Sequence, residues 1–198
     1  MLETLRNAFK IKDLRKRIGF TFFMLIVVRI GSQLPIPGVD PDVFSQLFAN
    51  SGDALNFFDA ITGGSFENMS IFALNITPYI TSSIIIQLLT IAFPKLEEMQ
   101  RDGEQGRKKM TQITRYVTVG LAVVQSLAMA IGFGRAGYLT KFNALYVILT
   151  VAALTAGSSV LMWIGERITE KGIGNGISIV LVINIISRIP SDLTSLFE

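Results

Sequence analysis

The 198-residue sequence contains neither cysteine nor histidine. That removes thiol nucleophiles, imidazole bases and the usual ligands of zinc and haem together. With no cysteine to pair, the redox compartment is not legible either. Charged residues make up only 17% of the chain, and no Asp or Glu falls inside an apolar run. A carboxylate pair for intramembrane proteolysis or proton relay is therefore missing. An enzyme is not expected, and neither is a cofactor or a metal. Lys and Arg are absent between Pro35 and Ser70, where Asp40, Asp42, Asp53, Asp59 and Glu67 supply the charge.

What is present is apolar. Half of the residues are hydrophobic and the mean hydropathy is +0.50, as expected of a membrane protein. The hydropathy predicts spans at about 18–34, 71–93, 116–133, 144–165 and 177–189, each near or somewhat below the length that crosses a bilayer. The expected fold class is all-α: a polytopic membrane protein with five transmembrane helices. Residues 1–17 form a basic leader and 18–198 one helical bundle, with no long linker or low-complexity tract.

Arg6, Lys10, Lys12, Arg15, Lys16 and Arg17 ahead of an apolar run imitate a secretory signal. The run continues through Arg29 into LPIPG without a small-residue cleavage site, so it reads as an uncleaved first span. Leu2, Leu5 and Phe9 at helical spacing predict an amphipathic leader helix on the membrane surface, against the alternative of a frayed basic tail. The leader, the 94–115 loop (Lys95, Arg101, Arg107, Lys108, Lys109, Arg115) and the 166–171 loop are predicted to face the cytoplasm. The C-terminal end of this chain then lies on the outer side. A net charge of +3 and a pI of 9.3 imply no nucleic-acid readout, because the basic residues fall where membrane topology puts them.

Three features suggest a conduit. The run Ile71–Phe93 is long enough to cross, yet holds Asn75, Pro78, Thr81, Ser82, Ser83 and Gln87; polar groups at that depth are tolerated only against protein or a wet cavity. The segment 53–69, with Phe57, Phe58 and Ile61 near one helical face and a break at Gly63 and Gly64, is too short to span. It reads either as a re-entrant half-helix or as an amphipathic helix lying on the surface. The fifth span opens on KGIGNGIS; no strand precedes these glycines, so close packing or a flexible entry is expected rather than a nucleotide nest. Arg29, the one charge well inside a span, is either a polar anchor within the bundle or a side chain snorkelling past a helix that ends at Gly31. Ile76 and Ile80 lie one turn apart on the second span and Ile177 and Leu181 on the fifth, so each pair is able to project to a common axis. Aliphatic residues so spaced are also ordinary packing; facing a pore, they would form a constriction that repels water when empty.

NITPYITSSIIIQLL at 75–89, GERITEKGIGNGIS at 165–178, RIGSQLPIPGVD at 29–40 and GEQGRKKMTQITRY at 103–116 together resemble the SecY/Sec61-alpha family of protein-translocation channel subunits. The resemblance runs along the whole chain but covers only the first five of that family's ten helices, one half of an inverted-repeat channel. It implies that Ile76, Ile80, Ile177 and Leu181 are this half's share of a hydrophobic pore ring. It also implies that 53–69, including Phe57, Phe58, Ile61, Gly63 and Gly64, is the plug, and that Thr81 and Gln87 belong to the lateral gate. Asn75 departs from the glycine that the family usually carries there, which bears on the bend between plug and second helix.

The function so implied is passive translocation of unfolded secretory polypeptides and sideways insertion of membrane helices in the bacterial plasma membrane. The implied partners are a second channel half, as a separate chain or a two-fold related copy, and SecE- and SecG-like small membrane subunits. A SecA-like motor ATPase and the ribosome would engage mainly through the absent half, alongside the translocating chain and the lipid bilayer. Two other readings stand beside this one. The first is half of a secondary transporter with a small-solute site near Thr77, Ser82 and Ser83, and the second a non-transporting scaffold.

Overall fold

The computed structural model describes residues 11–36, 39, 59, 61–135 and 143–187. Leu2, Leu5 and Phe9 of the expected leader helix, Phe57 and Phe58 of the expected plug, and the end of the expected fifth span from Arg188 onward lie outside the described residues. Within them the architecture is helical: α1 (Lys12–Ser32), α2 (Thr77–Ala92), α3 (Pro94–Arg101), α4 (Gly103–Arg135), α5 (Ala144–Lys171) and α6 (Gly176–Ile186). The chain divides into two compact units. The first comprises Met1–Pro35, Pro41–Ala73 and Val160–Glu198, the second Ile36–Asp40 and Leu74–Ser159.

Burial runs opposite to that of a soluble domain. Phe22, Phe23, Ile26, Leu88, Ile91, Val124, Ile148 and Val182 are exposed, while Ser82, Thr90, Thr118, Ser126, Thr150 and Ser158 are buried. Apolar side chains facing out and small polar ones facing in suit a hydrocarbon solvent, where helices associate by close approach rather than by hiding grease. Most of these hydroxyls spend their protons on their own helices: Thr90 donates to the Ile86 carbonyl (2.7 Å), Thr118 to Thr114 (2.7 Å), Thr150 to Tyr146 (2.9 Å) and Ser126 to Val123 (3.0 Å). Ser158 instead donates to the Asn75 carbonyl (3.4 Å), and Ser82 Oγ is buried without a hydrogen-bond partner.

In the second unit, α4 buries Gly106, Thr114, Thr118, Ala122, Ser126, Ala130 and Gly134. These lie on one row of every fourth residue, and such a row winds about 40° around the helix at each step. The same row of small residues thus meets different neighbours along its length. Near its start the Met99 carbonyl of α3 fills the place where a Gly106 side chain would sit. Further along, the Ser126 hydroxyl bonds the Thr155 hydroxyl of α5 (3.2 Å). The facing row of α2, Pro78, Ser82, Ile86 and Thr90, is likewise its buried face.

α2 and α3 meet at Phe93–Pro94 with a bend of 105°. Phe93 is held extended, as the residue before a proline must be, and proline opens α3 where its missing N–H costs nothing. Glu104, on the first turn of α4, accepts a hydrogen bond from Lys108 (3.0 Å), which together with the lysine charge holds its carboxyl below the usual range. The pair is exposed and screened. Its small contribution is present at neutral pH and lost as the pH falls through the lowered pKa.

In the first unit, α5 and α6 form a hairpin packed backbone to backbone. A side chain on Gly176 would strike the Gly165 carbonyl and lie 2.7 Å from Ile168 Cβ, and one on Gly165 would strike Ile177. Asn175 caps α6 by accepting from the Ile177 N–H (3.1 Å) and the Ser178 N–H (3.4 Å). The glycines of KGIGNGIS are therefore packing and turn residues. α1 joins them through Arg17, which donates to the Gly172 carbonyl (3.3 Å), and through Thr21, whose hydroxyl accepts from the Ile173 N–H (3.3 Å).

Several predicted boundaries move. α1 starts at Lys12, so the basic residues 12–17 continue the first helix; between Arg17 and Arg29 it offers only about 17 Å of apolar length. The third helix begins at Gly103 rather than 116, and the supposed 166–171 loop is the last turn and a half of α5. Among the described residues, only α4 and α5 are, each alone, long and apolar enough to cross a membrane; the bent pair α2–α3 passes if it counts as one span. Replacing Gly176 with alanine is expected to destabilise the fold by about 1–3 kcal/mol through overpacking. At Gly120, on α4, a Cβ would meet nothing within 4 Å, so alanine there should be neutral or slightly stabilising. Melting of the two variants in detergent micelles checks the contrast, and equal shifts would contradict it.

Candidate functional site

Among the described residues, irregular backbone of the first unit lies between α1 and α2. Pro35 pairs with Ser70 in a single antiparallel bridge, and the Ile71 N–H donates to the Leu34 carbonyl (3.0 Å). Asp59, fully buried, organises the turn that follows. Its carboxylate accepts from the Glu67 N–H (2.8 Å) and the Thr62 hydroxyl (3.3 Å), and its carbonyl from the Gly64 N–H (3.2 Å). The Ser65 carbonyl receives both the N–H (2.9 Å) and the hydroxyl (3.0 Å) of Ser70, whose oxygen in turn accepts from the Phe72 N–H (3.3 Å). The result is a turn stitched by short polar side chains that mimic backbone.

Gly63 and Gly64 both take positive φ, +68° and +80°, as their break in the pattern predicts. Thr62, Gly63, Ser65, Phe66 and Met69 are buried, so the described part of this segment is packed inside the first unit rather than laid on a surface. Among the described residues of the segment Asp59, Ile61 and Thr62 are helical, and from Gly63 to Ile76 the chain runs in turns interrupted by the bridge at Ser70. Arg29 resolves in favour of the anchor: Nη1 donates to the Gly63 carbonyl (3.3 Å). α1 continues past it to Ser32, and the Phe72 ring fills the space beside Gly31.

The break in the second span lies earlier than its proline. Pro78 sits in the first turn of α2, where it is tolerated, and the helix begins at Thr77. The bend is made by Asn75, whose φ is +52°. Asparagine is the side chain that best tolerates the left-handed region after glycine, so it is able to hold this bend. Asn75 is buried and its carbonyl accepts from the Ser158 hydroxyl (3.4 Å) within the second unit.

Of the aliphatic pairs, Ile76 and Ile80 belong to the second unit and Ile177 and Leu181 to the first. Ile76 is fully buried at the start of α2, with its carbonyl accepting from the Ile80 N–H (3.1 Å). Ile80, Ile177 and Leu181 are half-buried, and Ile177 packs on Gly165. Thr81 and Gln87 do not share a face, being about 120° apart around α2. The Thr81 hydroxyl donates to the Thr77 carbonyl (3.0 Å). Gln87 lines a cavity of about 250 Å³ of mixed polarity with Tyr79, Ser83, Ile86, Arg107 and Met110. An apolar groove of about 470 Å³ lies between α4 and α5, lined by Leu127, Val147, Ile148 and Val151. No group of acidic residues able to hold a metal occurs among the described residues.

Sequence reasoning missed the roles of Asp59, Ser65 and Ser70. The signal was there in their spacing around two glycines, but they sat in a stretch read for its aromatic residues. The small-residue row of α4 was equally legible and is invisible to hydropathy, because glycine, alanine, serine and threonine score near neutral.

Exposed apolar helix faces, buried irregular backbone and two helices long and apolar enough to cross a bilayer define a helical membrane protein. Comparison with known proteins makes this specific. The SecY family model matches residues 70–198, about two thirds of the sequence, and the chain belongs to the SecY family. The protein translocase subunit SecY of Pseudomonas aeruginosa is 43% identical over 189 residues, covering 95% of this chain and 43% of that protein. That of Pyropia yezoensis is 47% identical over 186 residues, covering 93% and 44%. The chain thus spans less than half the length of these relatives. Sec61 in the canine ribosome-channel complex from the endoplasmic reticulum shares the fold, with a TM-score of 0.64 at 18% identity, over 88% of this chain and 37% of that one. The small-solute transporter reading is overturned by this membership.

Asn75→Gly is expected to keep the fold intact, whereas Asn75→Val should cost about 1–3 kcal/mol, since a β-branched residue resists positive φ. Thermal stability in detergent, wild type against the two variants, is the check; a valine variant as stable as the glycine one would contradict the assignment of the bend.

Proposed function

We propose that this chain is one half of a passive protein-conducting channel, the first five helices of a SecY-type pore, through which unfolded polypeptides cross and apolar helices pass sideways into lipid. The observation that carries the reading is the buried, polar-stitched segment 59–76 leading into the start of α2, in a chain of the SecY family. Backbone of that kind belongs beside a cavity or within protein. In this reading the 53–69 segment is the plug. Ile76, Ile80, Ile177 and Leu181 furnish this half's part of an aliphatic ring that dewets when empty and yields around a passing chain, and Thr81 and Gln87 lie on the gate helix.

Counting α1, the α2–α3 pair, α4, α5 and α6 as spans gives five crossings. The basic residues of α3 and the first turns of α4 then face the cytoplasm of a bacterial cell, with the start of α1 on the same side. The half supplies no chemistry. Driving force comes from a SecA-like motor or an elongating ribosome, and the name of the Sec61 structure places a ribosome on that relative. The second channel half and SecE- and SecG-like subunits complete the assembly.

Ile76→Gly combined with Ile80→Gly, in the assembled channel, is expected to raise resting ion conductance severalfold in planar bilayers while translocation continues. Unchanged leak together with unchanged translocation would remove the ring from the account.

A further inference from the structure

The Gly63–Gly64 turn touches two helices of the first unit in ways that its own internal bonding does not require. On one side Arg29 Nη1 of α1 donates to the Gly63 carbonyl at 3.3 Å. On the other, the backbone of Asn184 on α6 lies so close that a Cβ on Gly63 would stand 2.7 Å from the Asn184 carbonyl oxygen and 3.0 Å from its Cα. Asn184 itself is buried. Gly64, the neighbouring glycine with the same left-handed backbone, faces open space, its nearest neighbour being Asn68 Nδ2 at 3.9 Å. The fit at Gly63 is therefore specific to one residue of the turn.

Meanwhile the segment folds on its own bonds. Asp59 holds Thr62, Gly64 and Glu67, and Ser65 holds Ser70. It is tied again to α1 at its far end, where the Ile71 N–H meets the Leu34 carbonyl. A preformed turn with a backbone tie at 34–71 and a side-chain tie at 29–63 has a natural moving end. The guanidinium releases without breaking any backbone pairing, whereas the Leu34–Ile71 end continues the bridge at Pro35–Ser70.

We infer that Arg29 and the Asn184 backbone form a seat for the Gly63 turn, making Arg29 a positioning residue that sets how readily this segment leaves its place. The seat explains why a cation is kept at the far end of the apolar stretch of α1: an arginine there needs a carbonyl partner, and Gly63 supplies one. A charge-assisted bond in a partly buried site gives the latch a strength sufficient for a tenfold or larger change in opening. The consequence for the channel rests on the proposed reading of 53–69 as the plug; the seat itself does not.

The cysteine-free sequence permits a clean test. Ser65→Cys, at a position only 2% exposed, reports opening of the turn through its labelling rate with a membrane-impermeant maleimide. Ser126→Cys, buried on α4, reports loss of the fold. In the assembled channel, Arg29→Ala and, separately, Gly63→Ala are expected to speed labelling at 65 by about tenfold or more without changing it at 126. Arg29→Lys, which keeps a cationic donor, should recover part of the protection, and Gly64→Ala should open the turn less than Gly63→Ala. Unchanged labelling at 65 in Arg29→Ala, or an equal rise at both reporters in all the variants, overturns the seat. Ion leak measured on the same channels separates the two claims. Faster labelling with unchanged leak keeps the seat and removes the plug reading, while both rising together supports both.

Discussion

Backbone N–H and C=O groups in apolar surroundings must find partners within the protein, and the arrangement of this molecule follows from where the chain fails to be helical. A helix meets the requirement by itself. The stretch from Gly63 to Ile76 does not, and so it draws on Asp59, Ser65, Ser70, Arg29 and the Leu34 carbonyl. All of these lie in the first unit: short polar side chains, neighbouring backbone groups and one guanidinium. Asn75 then closes the irregular run with a single left-handed residue, and α2 starts on a proline that needs no partner.

The helices around this run are arranged for close approach. Glycine meets backbone carbonyl in the α5–α6 hairpin, and α4 offers a row of small residues that serves successive neighbours because it winds around the helix. Many large apolar residues are left exposed on the helices, as suits a lipid solvent, while others such as Ile76, Leu154, Leu161 and Ile168 fill the interior beside the small ones. The same small residues that give a weak hydropathy signal therefore carry most of the packing specificity.

The all-helical class and the positions of α2, α4, α5 and α6 were legible in the sequence because apolar runs are long and charges cluster between them. Boundaries were not. Lys12–Arg17 read as part of a separate surface leader and Arg107–Arg115 as a loop because both are polar, yet helices extend well beyond an apolar core when their basic ends have somewhere wet to go. Pro78 marks the break in the second span only approximately, since proline is as welcome in a first helical turn as it is disruptive in the middle; the bend itself sits on Asn75. Gly63 and Gly64 were readable as a turn, but their partner was not, because nothing in the linear spacing joins Arg29 or Asn184 to residue 63. The four aliphatic residues of the proposed ring were legible as two helical pairs and gained their meaning only through the motifs around them.

The account stands on a turn whose backbone is satisfied by protein and not by water. Hydrogen–deuterium exchange on the chain in lipid nanodiscs measures that directly. The amides of Gly64, Glu67, Ser70, Ile71 and Phe72 should exchange slowly, at rates comparable to those of α4, despite lying outside any helix. Rapid exchange at these five positions, typical of an open loop, would contradict it.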